Sequence, residues 1–136
     1  KKWHIFVLLS DGELNEGSNW EAILFASHHK LNNLTIIIDY NKLQSLTTVE
    51  KTIRLEPLKE KFEAFGCNVY EINGHDHQEL KIHLSKKNKT NSPKLILAHT
   101  VKGKGVSFME NKVEWHYKSP DENQLKTALS EIGVRL

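Results

Sequence analysis

Short apolar runs alternate along the chain with stretches whose apolar residues recur at helical spacing. Trp3 to Leu9 (WHIFVLL) is a short apolar run and reads as a buried strand, stopped by the turn signal Ser10-Asp11-Gly12. Over residues 17 to 31, Trp20, Ile23, Leu24, Phe25, Ala26 and Leu31 fall at helical spacing. Gly17-Ser18 precedes that helix, and Ser18 with Glu21 has the Ser-x-x-Glu form of a capping box. Leu34 to Asp39 (LTIIID) is a second buried strand, rich in β-branched residues. Further on, Leu55 to Phe65 is expected to be helical, with Leu58, Phe62 and Phe65 on one face. Asn68 to Ile72 then reads as a strand, His77 to Lys87 as a helix, Leu95 to Thr100 as a strand and Asp121 to Ile132 as a closing helix. Asn88 to Pro93 is polar and turn-like, a surface loop rather than a linker.

Two continuous apolar strands joined by a helix predict a parallel βαβ unit rather than a hairpin. The repeated alternation predicts an α/β fold: an open, mostly parallel sheet with helices on both faces. The 136 residues form one expected domain (1–136), with no internal repeat and no low-complexity segment. A domain seldom opens directly on a buried strand. The first strand is therefore expected to lie inside a sheet whose earlier strands are upstream of Lys1, so the domain lacks its upstream part.

Composition narrows the picture only slightly. Charged residues make up 26% and apolar ones 38%, ordinary values for a soluble domain, and the net charge of +2 gives no reason to expect nucleic acid. The pairs Lys1/Lys2 and Lys86/Lys87 read as solvated surface. A single cysteine, Cys67, excludes an internal disulfide and a cysteine-based metal site, and its apolar setting suits core packing. No stretch approaches the roughly 20 apolar residues of a membrane span. A cytoplasmic location is expected. Trp20 and Phe25 read as core; His28 and His29, adjacent within a helix, are expected on different faces and are assigned no metal; His75, His77 and His83 read as surface or structural residues without metal-ligand spacing.

In an open α/β sheet, ligands sit beyond the carboxyl ends of the strands. Asp11 lies just past the first strand and Asn41 just past the second, thirty residues later. Neighbouring strands lie about 4.8 Å apart, and a right-handed crossover brings both loops to one edge. A carboxylate and an amide oxygen suit a hard cation such as Mg²⁺, which fills its remaining positions with water and phosphate oxygens. Gly12 lets the backbone approach a phosphate closely. On spacing alone, the plainer alternative stays open: an Asp-Gly turn, and an Asn41 that bonds only its own loop.

The wording of the segment adds to this. Ser10-Asp11-Gly12-Glu13-Leu14-Asn15-Glu16-Gly17, Trp20-Glu21-Ala22, Leu31-Asn32-Asn33-Leu34 and Asp39-Tyr40-Asn41 resemble the thiamine-diphosphate motif of transketolases. Thr100-Val101-Lys102-Gly103-Lys104-Gly105, Phe108-Met109-Glu110-Asn111 and Trp115-His116 resemble the end of the same cofactor domain, in particular the short N-terminal subunit of split bacterial transketolases. The resemblance implies thiamine diphosphate held through Mg²⁺ (or Ca²⁺). Asp11 and Asn41 would ligate the metal by side chain and Leu43 by its carbonyl, while Gly12 would give its N–H to the diphosphate. Lys102 and His116 would stand near the diphosphate and the reacting end of the cofactor, with His116 steadying an oxyanion or moving a proton. Glu16 would sit at a dimer interface in a carboxylate network.

The implied activity is transfer of a two-carbon ketol unit from a ketose phosphate to an aldose, in a dimeric assembly. The aminopyrimidine-activating glutamate would come from a complementary pyrimidine-binding/C-terminal subunit, and no nucleic acid or membrane partner is implied. Two positions depart from the family pattern: Ser10 stands for the first glycine of Gly-Asp-Gly, and Tyr117 for the glycine that often follows the histidine. Alternatives are a related thiamine-diphosphate synthase or 2-oxoacid dehydrogenase subunit, or a non-catalytic module of the same fold. A Rossmann-type binder ranks last, for want of a Gly-x-Gly-x-x-Gly turn.

Overall fold

Residues 3–86, 88 and 90–134 are described by a computed structural model. Lys1, Lys2 and Lys87, members of the two lysine pairs, lie outside the described residues. Four strands, β1 (Ile5–Ser10), β2 (Leu34–Tyr40), β3 (Asn68–Asn73) and β4 (Lys94–His99), form one all-parallel sheet in the order β1-β2-β4-β3. Helices α1 (Gly17–His28), α2 (Val49–Thr52), α3 (Leu58–Ala64), α4 (His77–Ser85) and α5 (Glu122–Glu131) connect or follow them. The α/β class and the parallel pairing of the first two strands agree with the sequence pattern. Register runs from Ile5↔Leu34 to Ser10↔Asp39, so the two strands end side by side.

Alternation along the strands divides the core in two. Ile36, Ile38 and Tyr40 of β2 and Leu95 and Leu97 of β4 face one side, where they pack with Ile23 of α1 and Leu58 and Phe62 of α3. Ile72, Ile96 and Ala98 face the other side, against Leu80 and Leu84 of α4. Helices therefore lie on both faces. Lys94 is buried at the end of α4, where Nζ donates to the carbonyls of His83 and Lys86, and burial with the nearby Lys86 pushes its ammonium below the ordinary range. That is a favourable place for a cation, at the negative end of the helix dipole.

Four expectations need correction. The first strand forms as predicted, but it is not buried: Ile5, Phe6, Val7 and Leu8 are exposed, because β1 is the sheet edge among the described residues. An apolar run reports strand formation, and whether it is covered depends on its neighbours. Ser18 and Glu21 do not cap α1; its N-cap is Glu16, which makes no side-chain cap bond. A reciprocal capping box occurs instead at α5, between Asp121 and Gln124. Trp20 packs against the core, stacked on Phe62 at 5.1 Å, but Phe25 is 60% exposed. Finally, the rings of His28 and His29 meet edge-on at 5.0 Å, because His29 is already the C-cap of α1.

Candidate functional site

The carboxyl ends of β1, β2 and β4 open onto a cleft of about 540 Å³. Asp11, Gly12, Glu16, Asn41, Leu43, Lys102 and His116, the seven residues singled out from the sequence, all line it. They come from three separate loops, and parallel register alone brings the first two together.

Asp11 follows β1 and is 2% exposed. Its N–H donates to the carbonyl of Asp39 at 3.2 Å, and its Oδ2 accepts the Lys42 N–H at 2.7 Å. Lys42 reaches that position with φ of 66°, an unusual left-handed conformation for a lysine. Burial pushes the Asp11 carboxyl above its ordinary range. The Lys42 N–H opposes this, the Asp39 carboxylate adds to it, and the Gly12 N–H and Lys102 pull back. A buried carboxylate so lightly compensated favours a cation nearby.

Asn41 does bond its own loop, its Oδ1 accepting the Leu43 N–H at 3.0 Å. That contact also sets Leu43. The Val49 N–H donates to Lys42 O at 3.0 Å and the Gln44 N–H to Thr47 O at 2.8 Å, flanking the antiparallel pair Leu43↔Thr48. In such a flanked pair the central residues turn their own N–H and C=O outward. The Leu43 carbonyl therefore points away from Thr48, on the side where its N–H meets Asn41.

Lys102 and His116 approach from beyond β4, with Nζ and Nδ1 3.2 Å apart. Their loop depends on Gly103, which has φ of 72°; a Cβ there would lie 2.7 Å from Met109 Cβ and 2.8 Å from its carbonyl atoms. The Trp115 Nε1–H donates to Phe108 O at 2.8 Å and fixes the single 3₁₀ turn Val113–His116. At the two departures from the motif, the chain finds local solutions. Ser10 is an ordinary strand residue whose N–H and Oγ both reach Glu13 Oε2, at 2.8 and 3.0 Å, closing the turn after Asp11. Tyr117 is exposed, packs edge-on against His116 at 4.7 Å, and leaves the histidine in the cleft.

Several lining residues were missed in the sequence: Asn15, Asp39, Gln44 and Ser45. Asp39 had a signal, since it lies one residue before the end of β2 in register with Ser10, and its carboxylate accepts the Thr100 hydroxyl. Gln44 and Ser45 share the Asn41 loop. Asn15 had no distinguishing signal. A second cavity of about 530 Å³ lies on the other side of the Asn41–Leu43 loop, bounded by Tyr40, Lys42, Glu50, Glu56 and His99.

The donor set fits a hard divalent cation: a carboxylate, an amide oxygen and a backbone carbonyl, all oxygen. Among the described residues no three His, Cys, Asp or Glu side chains are grouped so as to hold a metal ion. Buried polar atoms without partners, Asn15 Oδ1 and Gln44 Nε2, belong to residues of the same cleft.

The chain has relatives among transketolases and their subunits. Over 131 residues the chain is 44% identical to one of the subunits of the apulose-4-phosphate transketolase of Actinobacillus succinogenes, covering 96% of this chain and 48% of that protein. Identity is 38% over 129 residues to the 6-deoxy-6-sulfo-D-fructose transketolase subunit SqwG of a Clostridium species, covering 94% and 47%. The transketolase structure of Campylobacter jejuni superposes with a TM-score of 0.90 at 34% identity, covering 98% of this chain and 21% of that one. The chain thus spans about half the length of the subunit relatives. Residues 2–135 match the transketolase thiamine diphosphate binding domain, and the chain belongs to that family.

Proposed function

We propose that this chain is the diphosphate-binding part of a split transketolase, acting with a complementary pyrimidine-binding subunit. The observation that carries the reading is the meeting of Asp11, Asn41, Leu43, Lys102 and His116 around one cleft at the carboxyl edge of the sheet. Relatives that are themselves single subunits of a transketolase support a partner chain. The apolar surface of β1 offers area for cover by further protein.

Asp11 and Asn41 would hold Mg²⁺ (or Ca²⁺) by their side-chain oxygens, and Leu43 by its carbonyl. Gly12 would give its backbone N–H to the diphosphate. Bound thiamine diphosphate supplies the carbanion chemistry by which a two-carbon ketol unit leaves a ketose phosphate for an aldose. Lys102 places a positive charge at the cleft, where it offsets anionic groups. It also holds the His116 ring by a contact to Nδ1, which keeps Nε2 as the atom available to steady an oxyanion or move a proton. Glu16, exposed at the cleft rim, would join the carboxylate network of a dimer interface.

Calorimetric titration of thiamine diphosphate with Mg²⁺, with and without the complementary subunit, tests the reading. Metal-dependent binding is expected in the assembly, and Asp11→Ala should weaken it on the order of a hundredfold, the usual scale for losing one partner of a buried charged contact. Binding that ignores both Mg²⁺ and Asp11→Ala would refute the assignment. Ketol transfer from a ketose phosphate should then appear only in the mixed assembly.

A further inference from the structure

Two side-chain amides face each other in the wall of the cleft. The Asn15 Nδ2–H donates to Gln44 Oε1 at 3.0 Å, and this bond leaves Asn15 Oδ1 and Gln44 Nε2 buried without partners among the described residues. Reading both amides the other way round still leaves one donor and one acceptor unpaired, and Gln44 keeps at least one unspent N–H. Such groups are normally satisfied in a folded protein, so a missing partner asks for an explanation.

The surroundings of Gln44 indicate what that partner is. Its side chain, 8% exposed, lies alongside Gly12: a Cβ built there would stand 3.9 Å from both Gln44 Cγ and Cδ. Its backbone is fixed by the hairpin bond to Thr47, at 2.8 Å, so the terminal amide is the part free to turn. Gly12 is the turn after Asp11, where the diphosphate is proposed to enter. An unspent N–H beside that point suits an anionic oxygen, since hydrogen bonds to charged acceptors are the strong ones.

We propose that Gln44 is a further cofactor-positioning residue: its amide rests on Asn15 in the free chain and turns to donate Nε2–H to a diphosphate oxygen. Because Nε2 is buried at rest, the turn breaks the Asn15 bond and exchanges it for a charge-assisted one. The inference rests on the diphosphate reading above. It adds a donor from the same loop as Asn41 and Leu43, so the metal and the anion would be gripped by one hairpin.

Calorimetry on the assembled protein separates the two ideas, with Mg²⁺-thiamine diphosphate and Mg²⁺-pyrophosphate as probes. Gln44→Leu should weaken both probes by about tenfold, the usual worth of one hydrogen bond to a charged group. Gln44→Glu, which keeps the shape and the acceptor for Asn15, should weaken them further by placing like charges together. Asn15→Ala frees the Gln44 amide and should leave binding unchanged or tighter. Wild-type binding with Gln44→Leu within about twofold would overturn the Gln44 role and leave the diphosphate site standing. Equal losses in Asn15→Ala and Gln44→Leu would also overturn it, making the amide pair a packing prop. Absence of Mg²⁺-dependent binding by the wild type would overturn the diphosphate reading and the Gln44 role with it.

Discussion

Strands β1 and β4 are chemically alike and differently placed. Ile-Phe-Val-Leu-Leu and Leu-Ile-Leu-Ala each pair in parallel with β2, yet Leu8 of β1 is 68% exposed while Leu97 of β4 is 1% exposed. β4 has strands on both edges and helices on both faces. Among the described residues β1 has one partner strand, and Val7 and Leu9 border a small apolar cavity shared with Ala22 and Ile23 of α1. Even so, the loop that follows β1 carries Asp11, the most buried group of the site. The proposed cation site, anchored on the least covered strand, would tie cofactor binding to whatever covers that strand.

Truncation in the two strands should break or sharpen this contrast most strongly. Leu97→Ala empties a packed core position and is expected to cost about 2–5 kcal/mol in denaturant unfolding. Leu8→Ala should cost less than about 0.5 kcal/mol, as for other exposed positions. If a complementary subunit covers β1, Leu8→Ala gains a penalty in the assembly that it lacks in the chain. Equal costs in the chain alone would mean that β1 is as buried as β4.

Glycines in the loops beyond these strands give the next largest effect. A Cβ at Gly74, in the loop after β3, would stand 2.5 Å from Thr100 Cγ2 and 3.1 Å from the carbonyl oxygen of His99, the last residue of β4. Gly74→Ala is expected to cost about 1–3 kcal/mol through that overpacking. Gly12, after β1, has room: its nearest atoms would be 3.9 Å away. Gly12→Ala should therefore change thermal stability by less than about 0.5 kcal/mol while weakening diphosphate binding. A large stability loss there would show that the chain itself, rather than the ligand, requires the glycine.

This contrast also marks how far the sequence could be read. Strand and helix positions were legible because apolar periodicity is local, and Asp11 and Asn41 were legible because a parallel crossover carries two strand ends to one edge. The exposure of β1 was not, since a strand's cover belongs to distant elements. The Ser18–Glu21 pattern failed because α1 begins earlier, at Gly17, and Glu16 takes the N-cap. Most of the cleft was visible through the resemblance. Gln44 and Asn15 were not, because their pairing depends on a hairpin and the 3₁₀ turn Gly12–Asn15, which meet only in the fold. Short elements such as α2 escaped for the same reason: Thr48 caps it by accepting the Lys51 N–H, within a segment that has little apolar periodicity.

The smallest effect lies on the β4 side of the Asn41 loop, where Tyr40 meets Glu56. The Tyr40 hydroxyl donates to Glu56 Oε1 at 2.6 Å, and the Leu58 N–H donates to Oε2 at 2.8 Å. The tyrosine bond is the main cause that holds the Glu56 carboxyl below its ordinary range; burial opposes it, and the Leu58 N–H, Lys42 and His99 assist. Burial, followed by the same carboxylate, pushes the phenol up. A carboxyl depressed in the folded state stabilises the fold above its unfolded value, here 4.5, and that contribution is lost as pH falls through the lower folded value. Tyr40→Phe should accordingly cost about 1 kcal/mol at neutral pH, discounted because Glu56 is solvent-exposed. The difference between wild type and variant should narrow below pH 4.5 and close as Glu56 protonates. Parallel urea titrations at neutral and acid pH measure it, and a gap that stays constant would show that the hydroxyl's worth does not depend on the charge of Glu56.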